Sequence, residues 1–322
     1  MEKIVVIGPF NPAMQAALKK HLSSERFLLL FSPEMDVKLL SEADYIILRT
    51  LSIGQEQLAL MKHVKLIQRW GAGYDTVDIE AAGKKGIPVA VTAGINAIPV
   101  SEMALALMLG VYRNLVAMTV DSMNGIWNRE YYSGISYTIS GKTVGIYGFG
   151  NIGKKVASLV KAFGAQVLYF DPFRMTPELE AALGVTYAAP EELLRNADIL
   201  SLHAPLTNET AYFINTHTLS LMKSTAVLIN TARAELVDYP AVAEALKQRK
   251  LLGAGFDAIE HSLLENNPFR GMKNVVFTQH LGGNTVDNAE HMAKRIGEQI
   301  NAVSNGQRLA PPHLVNGCFL VG

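Results

Sequence analysis

The sequence predicts an α/β protein made of two doubly wound parallel-sheet units. Three observations predict it. Apolar strand-length runs alternate with helical patterns from Lys3 to Val91, the alternation restarts at Thr143, and 322 residues exceed what one hydrophobic core usually fills.

In the first series the strand-length runs are residues 4–7, 27–31, 45–48, 66–68 and 89–91. Strands separated by helical segments form a parallel sheet covered by helices. The first run stops at Gly8-Pro9, too short for the apolar region of a signal peptide. A long helical pattern then begins near Pro99, with proline at a first-turn position and Ser101 and Glu102 close to the start. Its Met-rich stretch, residues 103–118, suits a core and crossing helix, and its most apolar part is far below membrane-spanning length. The second series comprises residues 143–147, 167–170, 199–202, 226–229, 253–256 and 275–277. A last amphipathic segment, residues 287–303, is closed by Asn305-Gly306. There are no repeats and no low-complexity tract.

Charge narrows the partners. Lys plus Arg number 29 and Asp plus Glu 29, so no basic excess points to nucleic acid and no acidic excess to disorder. A small-molecule partner is expected, with no nucleic acid and no membrane. The single cysteine, Cys318, cannot form an intrachain disulfide, and no Cys/His spacing resembles a metal site, which fits a reducing, cytoplasmic setting.

The stretch 143–171 carries the first chemistry. A β-branched run leads into Gly148-Phe149-Gly150-Asn151-Ile152-Gly153, an apolar-periodic segment follows, and a second strand-like run ends at Asp171. This is the Rossmann-like arrangement that grips a dinucleotide. Gly148 lets the chain turn off the strand, Gly150 lets backbone approach a pyrophosphate, and Gly153 lets helix and strand pack closely. The leading N–H groups of the helix, at Asn151 and Ile152, offer the positive end of its dipole to the phosphates. Asp171 stands where an acid accepts hydrogen bonds from the adenosine ribose, which favours NAD and disfavours the 2′-phosphate of NADP. Arg174, three residues on, would receive such a phosphate only if the loop folded back.

Ligands of open α/β sheets sit at the carboxyl ends of strands. In the second series those ends are His203-Ala204-Pro205, Asn230-Thr231-Ala232-Arg233, Asp257 and Thr278-Gln279-His280. In the first series they are Arg49-Thr50 and Arg69-Trp70-Gly71-Ala72-Gly73-Tyr74-Asp75. An arginine at a strand end ordinarily bridges to a surface acid, and a lone histidine is ordinarily structural. Arg233 at a strand end after Asn230-Thr231-Ala232 favours chemistry, and Gly282-Gly283 beside His280 open the same reading for it. His203 reads as a lining residue, and His261 and His291 as ordinary polar positions.

With the glycine turn, Ala162-Phe163-Gly164, Asp171-Pro172, His203-Ala204-Pro205-Leu206-Thr207 and Thr278 to Gly283 in this order, the chain resembles the D-isomer-specific 2-hydroxyacid dehydrogenases over nearly its whole length. The resemblance implies a cofactor domain, residues 99–287, inserted into a flavodoxin-like substrate domain formed by residues 1–98 and 288–322, the two closing over a cleft. It implies an NAD-dependent oxidoreductase that interconverts a small 2-oxoacid and its D-2-hydroxyacid. Arg233 then holds the substrate's carboxylate and carbonyl oxygens with its planar fork. His280 exchanges the proton on the carbonyl oxygen, since imidazole ordinarily titrates near neutral pH. The backbone at Ala72 and Gly73, with Arg49, is implied to bind the substrate carboxylate, and Ala204, Thr231, Ala232, Asp257 and Gly282 to line the cofactor. Asp257 is implied to bond the nicotinamide amide. A homodimer through the cofactor domain is implied too, and the aromatic segment 127–137 hints at its arm.

One departure matters. The family places a glutamate five residues after the strand-end aspartate to orient the histidine, and here that position is Ser262. Glu260 is the candidate for that catalytic role, with Glu265 farther into the loop. The missing glutamate also motivates a rival reading, an NADH-sensing regulatory or binding protein with weak or no turnover. Arg49, Trp70 and Tyr74 hint only at a polar substrate group of moderate size.

Overall fold

Five apolar runs become the strands β1 (Glu2–Ile7), β2 (Phe27–Ser32), β3 (Tyr45–Leu48), β4 (Leu66–Arg69) and β5 (Val89–Ala90). They form one parallel sheet in the order β2-β1-β3-β4-β5, which is the flavodoxin-like order. The computed structural model describes residues 1–259 and 261–320. It separates into two units, one formed by Met1–Asn96 and the chain from Gly283 onward, the other by Ala97–Gly282.

Alternation along each strand fills both faces of the first sheet. Ile4, Val6, Tyr45, Ile47 and Leu66 bury into one cluster, while Val5, Ile7, Ile46, Leu48 and Ile67 bury into the other. The helix Val286–Ser304 belongs to the first cluster: Met292, Ala293, Ile296 and Ile300 pack with Leu18 and Leu22 of the helix Pro12–Leu22. Ile296 and Ile300 are fully buried, worth roughly 1.5–3 kcal/mol each, enough to bring the end of the chain back to its beginning. Buried Asn316 then stitches the tail to β5, its Oδ1 accepting from Val89 N at 2.7 Å and its Nδ2 donating to Ile87 O at 2.9 Å.

The second unit has seven parallel strands: β6 (Thr143–Tyr147), β7 (Gln166–Phe170), β8 (Thr186–Tyr187), β9 (Ile199–Leu202), β10 (Val227–Asn230), β11 (Gly253–Phe256) and β12 (Val275–Phe277). Their order, β12-β11-β10-β9-β6-β7-β8, reverses direction between β6 and β9, the switch point at which doubly wound sheets bind nucleotides. β8 is absent from the sequence reading because Thr186 is exposed and Tyr187 half-buried, so it lacks the buried apolar run that marks the equally short β5. The helix expected near Pro99 runs Ala97–Tyr112 and buries Leu107 and Met108 against Val144, Ile146, Val227 and Ile229. Among the described residues no single helix is long and apolar enough to cross a membrane.

Candidate active site

The three glycines of the turn after β6 meet three different surroundings. Gly148 has φ +94°, and a Cβ there would lie 2.4 Å from Ala204 N. Gly153 is pressed against the strand, since its Cβ would lie 2.3 Å from Gly148 O. A Cβ on Gly150 would meet nothing within 4 Å, so the space beside that backbone is open where a pyrophosphate would approach. The helix Asn151–Ala162 starts there with no side-chain cap, leaving its leading N–H groups, including those of Asn151 and Ile152, to an anion. The residues present therefore fit a dinucleotide.

Asp171 follows β7, which pairs with β6 so that Phe170 lies opposite Tyr147. Its Oδ2 accepts from Phe149 N at 2.7 Å and its Oδ1 from Phe173 N at 2.9 Å. The carboxylate is thus aimed at the glycine turn, and each oxygen keeps acceptor capacity for a ribose hydroxyl. On the other side of the switch point, Ala204 is 7% exposed and packs under Gly148.

Between these and the end of β10 stands His203. Its Nε2 is 2.8 Å from Ser201 Oγ and its Nδ1 is 3.3 Å from Thr231 Oγ1. The residue keeps some accessible surface, yet its ring is enclosed by protein, and this burial pushes its pKa down to about 3. It is a neutral spacer between β9 and β10 rather than an acid or base near neutral pH. Thr231 and Ala232 are both nearly buried at the same sheet edge.

Arg233 is carried by a turn that Asn230 ties. Asn230 is fully buried; its Oδ1 accepts from Ala232 N at 3.0 Å and its Nδ2 donates to Arg233 O at 2.8 Å. The guanidinium is steadied by Nη1 donating to Ala232 O at 2.7 Å. Asn230 is a positioning residue that the sequence reading quoted without assigning; an asparagine ending a strand three residues before the arginine was the available signal.

His280 sits in a loop fastened to Asp257. Its backbone is left-handed, φ 54°, a conformation that costs a non-glycine residue energy and persists only when neighbours hold it. Asp257 contributes to that hold: His280 N donates to Asp257 O at 2.8 Å, while the Asp257 carboxylate accepts from Thr278 Oγ1 at 2.6 Å and from Leu281 N and Gly282 N at 2.9 Å each. Asp257 is 2% exposed, so its observed work is to shape this loop, a role beyond the nicotinamide contact that the resemblance implied. Gly282 must lack a Cβ, because one would lie 2.8 Å from Asp257 Oδ2.

Registers place these segments side by side. Asn230 lies opposite Phe256, and Phe256 opposite Phe277, so the chains leading to Arg233, Asp257 and His280 leave neighbouring strands at about 4.8 Å spacing. Glu260, the expected third catalytic residue, lies outside the described residues. Ser262 is exposed on the short helix His261–Glu265, where Glu265 pairs with His261 at 3.7 Å.

The first unit presents its own candidates. Gly71 is tied to Thr92, its N–H donating to Thr92 Oγ1 at 3.2 Å and its carbonyl accepting from Thr92 N at 2.9 Å. Arg69, 8% exposed, donates through Nε to Gly73 O at 3.1 Å and through Nη1 to Leu48 O at 3.2 Å. With the loop held from behind, the half-buried N–H groups of Ala72 and Gly73 donate to no protein acceptor among the described residues. Arg69 is a second positioning residue missed in the sequence, because a charged residue ending a strand gives no sign of being buried. Arg49 donates to Pro9 O, and a cavity of about 590 Å³ at the carboxyl ends of β1, β2 and β3 is lined by Arg49, Phe10, Asn11, Gln15 and Phe31.

Comparisons with known proteins agree with this anatomy. Residues 105–282 match the family model described as D-isomer specific 2-hydroxyacid dehydrogenase, NAD binding domain. A glyoxylate reductase from Thermococcus litoralis is 37% identical over 272 residues, covering 83% of this chain and 81% of that protein. A D-3-phosphoglycerate dehydrogenase from Methanocaldococcus jannaschii is 33% identical over 309 residues, covering 95% of this chain and 58% of that one. The structure of a D-lactate dehydrogenase from Aquifex aeolicus, complexed with NAD and lactic acid, superposes with a TM-score of 0.84 at 27% identity, covering 98% of this chain and 99% of the other.

Proposed function

Since the chain belongs to the D-isomer-specific 2-hydroxyacid dehydrogenases, we propose that it interconverts a small 2-oxoacid and the corresponding D-2-hydroxyacid with NAD. The observation that carries this reading is that one sheet edge bears both the dinucleotide turn and the two side chains the chemistry needs, Arg233 and His280.

NAD, when bound, supplies or accepts the hydride. Gly148, Gly150, Asn151, Ile152 and Gly153 would hold its pyrophosphate, Asp171 its ribose, and Ala204, Thr231, Ala232 and Gly282 would line it. Oδ2 of Asp257, which accepts from Gly282 N, would have a further acceptor site for the nicotinamide amide. Arg233 binds the substrate's carboxylate and carbonyl oxygens and opposes the negative charge that grows on the latter during reduction. His280 delivers a proton to that oxygen in reduction and removes it in oxidation. Glu260 is proposed to orient His280, replacing the glutamate absent at Ser262.

In the first unit the Ala72 and Gly73 amides would cradle the carboxylate. Arg49 would meet the rest of the substrate in the cavity that it lines together with Phe10, Asn11, Gln15 and Phe31. The test is a panel of 2-oxoacids with NADH across pH 5 to 8, ranked by kcat/KM. Glyoxylate, pyruvate and hydroxypyruvate are the first members. Tight NADH binding with no 2-oxoacid reduced would instead support the NADH-sensing reading.

A homodimer through the cofactor-binding unit is part of the proposal, as is a cytoplasmic setting. The helix Leu115–Met123 and the segment after it expose Val116, Val120, Met123, Trp127 and Tyr131, with Met123 at 83% and Trp127 at 84%. Apolar groups so clustered ordinarily mark an interface. The arm is fastened from within, for buried Asp121 accepts from Tyr132 Oη at 2.7 Å and pairs with Lys273 at 3.1 Å. Sedimentation equilibrium at micromolar concentration is expected to give twice the chain mass, and a single-chain mass would exclude the dimer.

A further inference from the structure

The loop that follows Asp171 holds one cation, Arg174, within residues 171–176, and its side chain, 55% exposed, is paired with a carboxylate. Its Nε donates to Glu180 Oε1 at 2.8 Å and its Nη2 to Glu180 Oε2 at 3.1 Å, a bidentate fork. The guanidinium carbon lies 4.6 Å from the centre of the Tyr187 ring, within cation–π range. Glu180 in turn is anchored: its side chain is 12% exposed and Oε1 also accepts from Tyr169 Oη at 2.9 Å. Tyr169 Oη accepts from Met175 N at 3.0 Å, so the loop backbone is tied to the same group.

A 2′-phosphate on the adenosine ribose needs a cation beside the strand-end acid, and an arginine there is the usual provider. We propose that Glu180 is a specificity-determining residue: by clamping Arg174 against Tyr187 it withholds the loop's cation from a 2′-phosphate and thereby confines the protein to NAD. Asp171 alone would repel the phosphate and bond the ribose, as in any protein with this turn. The clamp adds a second barrier, because the arginine that would offset Asp171 is already neutralised by a shielded carboxylate. Aromatic Phe173, 87% exposed between the two, adds no charge. The inference rests on the assignment of NAD to this unit.

The test is calorimetric titration of the full chain, without substrate, with NADH, NADPH and adenosine 2′,5′-bisphosphate as probes. Glu180→Gln keeps the side chain's shape and a hydrogen bond to Tyr169 but removes the charge that holds Arg174. It is expected to tighten NADPH and the bisphosphate about tenfold or more while changing NADH less than about threefold. Adding Arg174→Ala to that variant is expected to abolish the gain. Arg174→Ala in the otherwise unaltered chain is expected to leave the NADPH to NADH ratio within about twofold, since the arginine is already withheld. Unchanged NADPH affinity in Glu180→Gln, or a gain that survives loss of Arg174, overturns the proposal. So does a large loss of NADPH affinity on Arg174→Ala alone, a readout that stands even where Glu180→Gln fails to fold. If the unaltered chain binds no NADH, the cofactor assignment itself falls and this proposal with it.

Discussion

Replacing His280 with glutamine is expected to lower kcat for 2-oxoacid reduction by roughly 10²–10⁴-fold, the usual contribution of a general acid, while changing the Kd for NADH less than about threefold. Glutamine keeps a polar end of similar reach but cannot deliver a proton near neutral pH. The contacts that the His280 N–H makes with Asp257 O, and those of the Asp257 carboxylate with Thr278, Leu281 and Gly282, are unchanged by this substitution. Asparagine, which tolerates a left-handed backbone, is the second variant to make. The pH profile separates chemistry from structure. Reduction needs the protonated imidazole, so kcat/KM for reduction in the unaltered protein should fall as pH rises through its titration, and the variants should lack that limb. His203 cannot supply the limb, since burial keeps it neutral down to about pH 3. A variant that retained the limb and the unaltered kcat would remove His280 from the mechanism.

Loss of the Arg233 fork should be felt in substrate binding and in the barrier together. Arg233→Gln is expected to reduce kcat/KM for the best 2-oxoacid by about 30-fold to several-thousand-fold, corresponding to the 2–5 kcal/mol lost when one partner of a desolvated charge pair is truncated. Arg233→Lys should recover only part of this, because an ammonium supplies charge without the two parallel donors that match a carboxylate. The turn itself should persist in both, as Asn230 grips the Arg233 carbonyl and the Ala232 amide, neither of which changes. NADH titration reports on that persistence: its Kd should stay within about threefold of the unaltered value. Kinetics indistinguishable between arginine and lysine would show that charge alone suffices and that no bidentate contact forms.

The parts of this architecture legible in the chain were those written in short, local patterns. Gly148, Gly150 and Gly153 announce a turn because each answers a different demand within six residues: a Cβ would strike protein at Gly148 and Gly153, whereas beside Gly150 the space is open. Strand-length apolar runs announce parallel strands because burial on both faces leaves few polar positions. β8 escaped since its exposed Thr186 and half-buried Tyr187 form no apolar run, unlike the equally short β5. The helix Val286–Ser304 showed its amphipathic face in the sequence, but not that the face would meet Leu18 and Leu22 nearly the whole chain length away.

What the sequence by itself determined is therefore the class of protein and its candidate reactive groups: a dinucleotide turn, an acid at the next strand end, an arginine and a histidine at later ones. These follow from backbone sterics and from side-chain chemistry, which act over a few residues. What only the tertiary structure decided is how those groups are held. Asn230 ties the arginine's turn, Asp257 bends His280 into a left-handed backbone, Arg69 lies buried behind the glycine loop, and Glu180 captures Arg174. Such partners are set by which strands become neighbours and by which polar groups must find one another once water is excluded, and that pairing is decided across the fold.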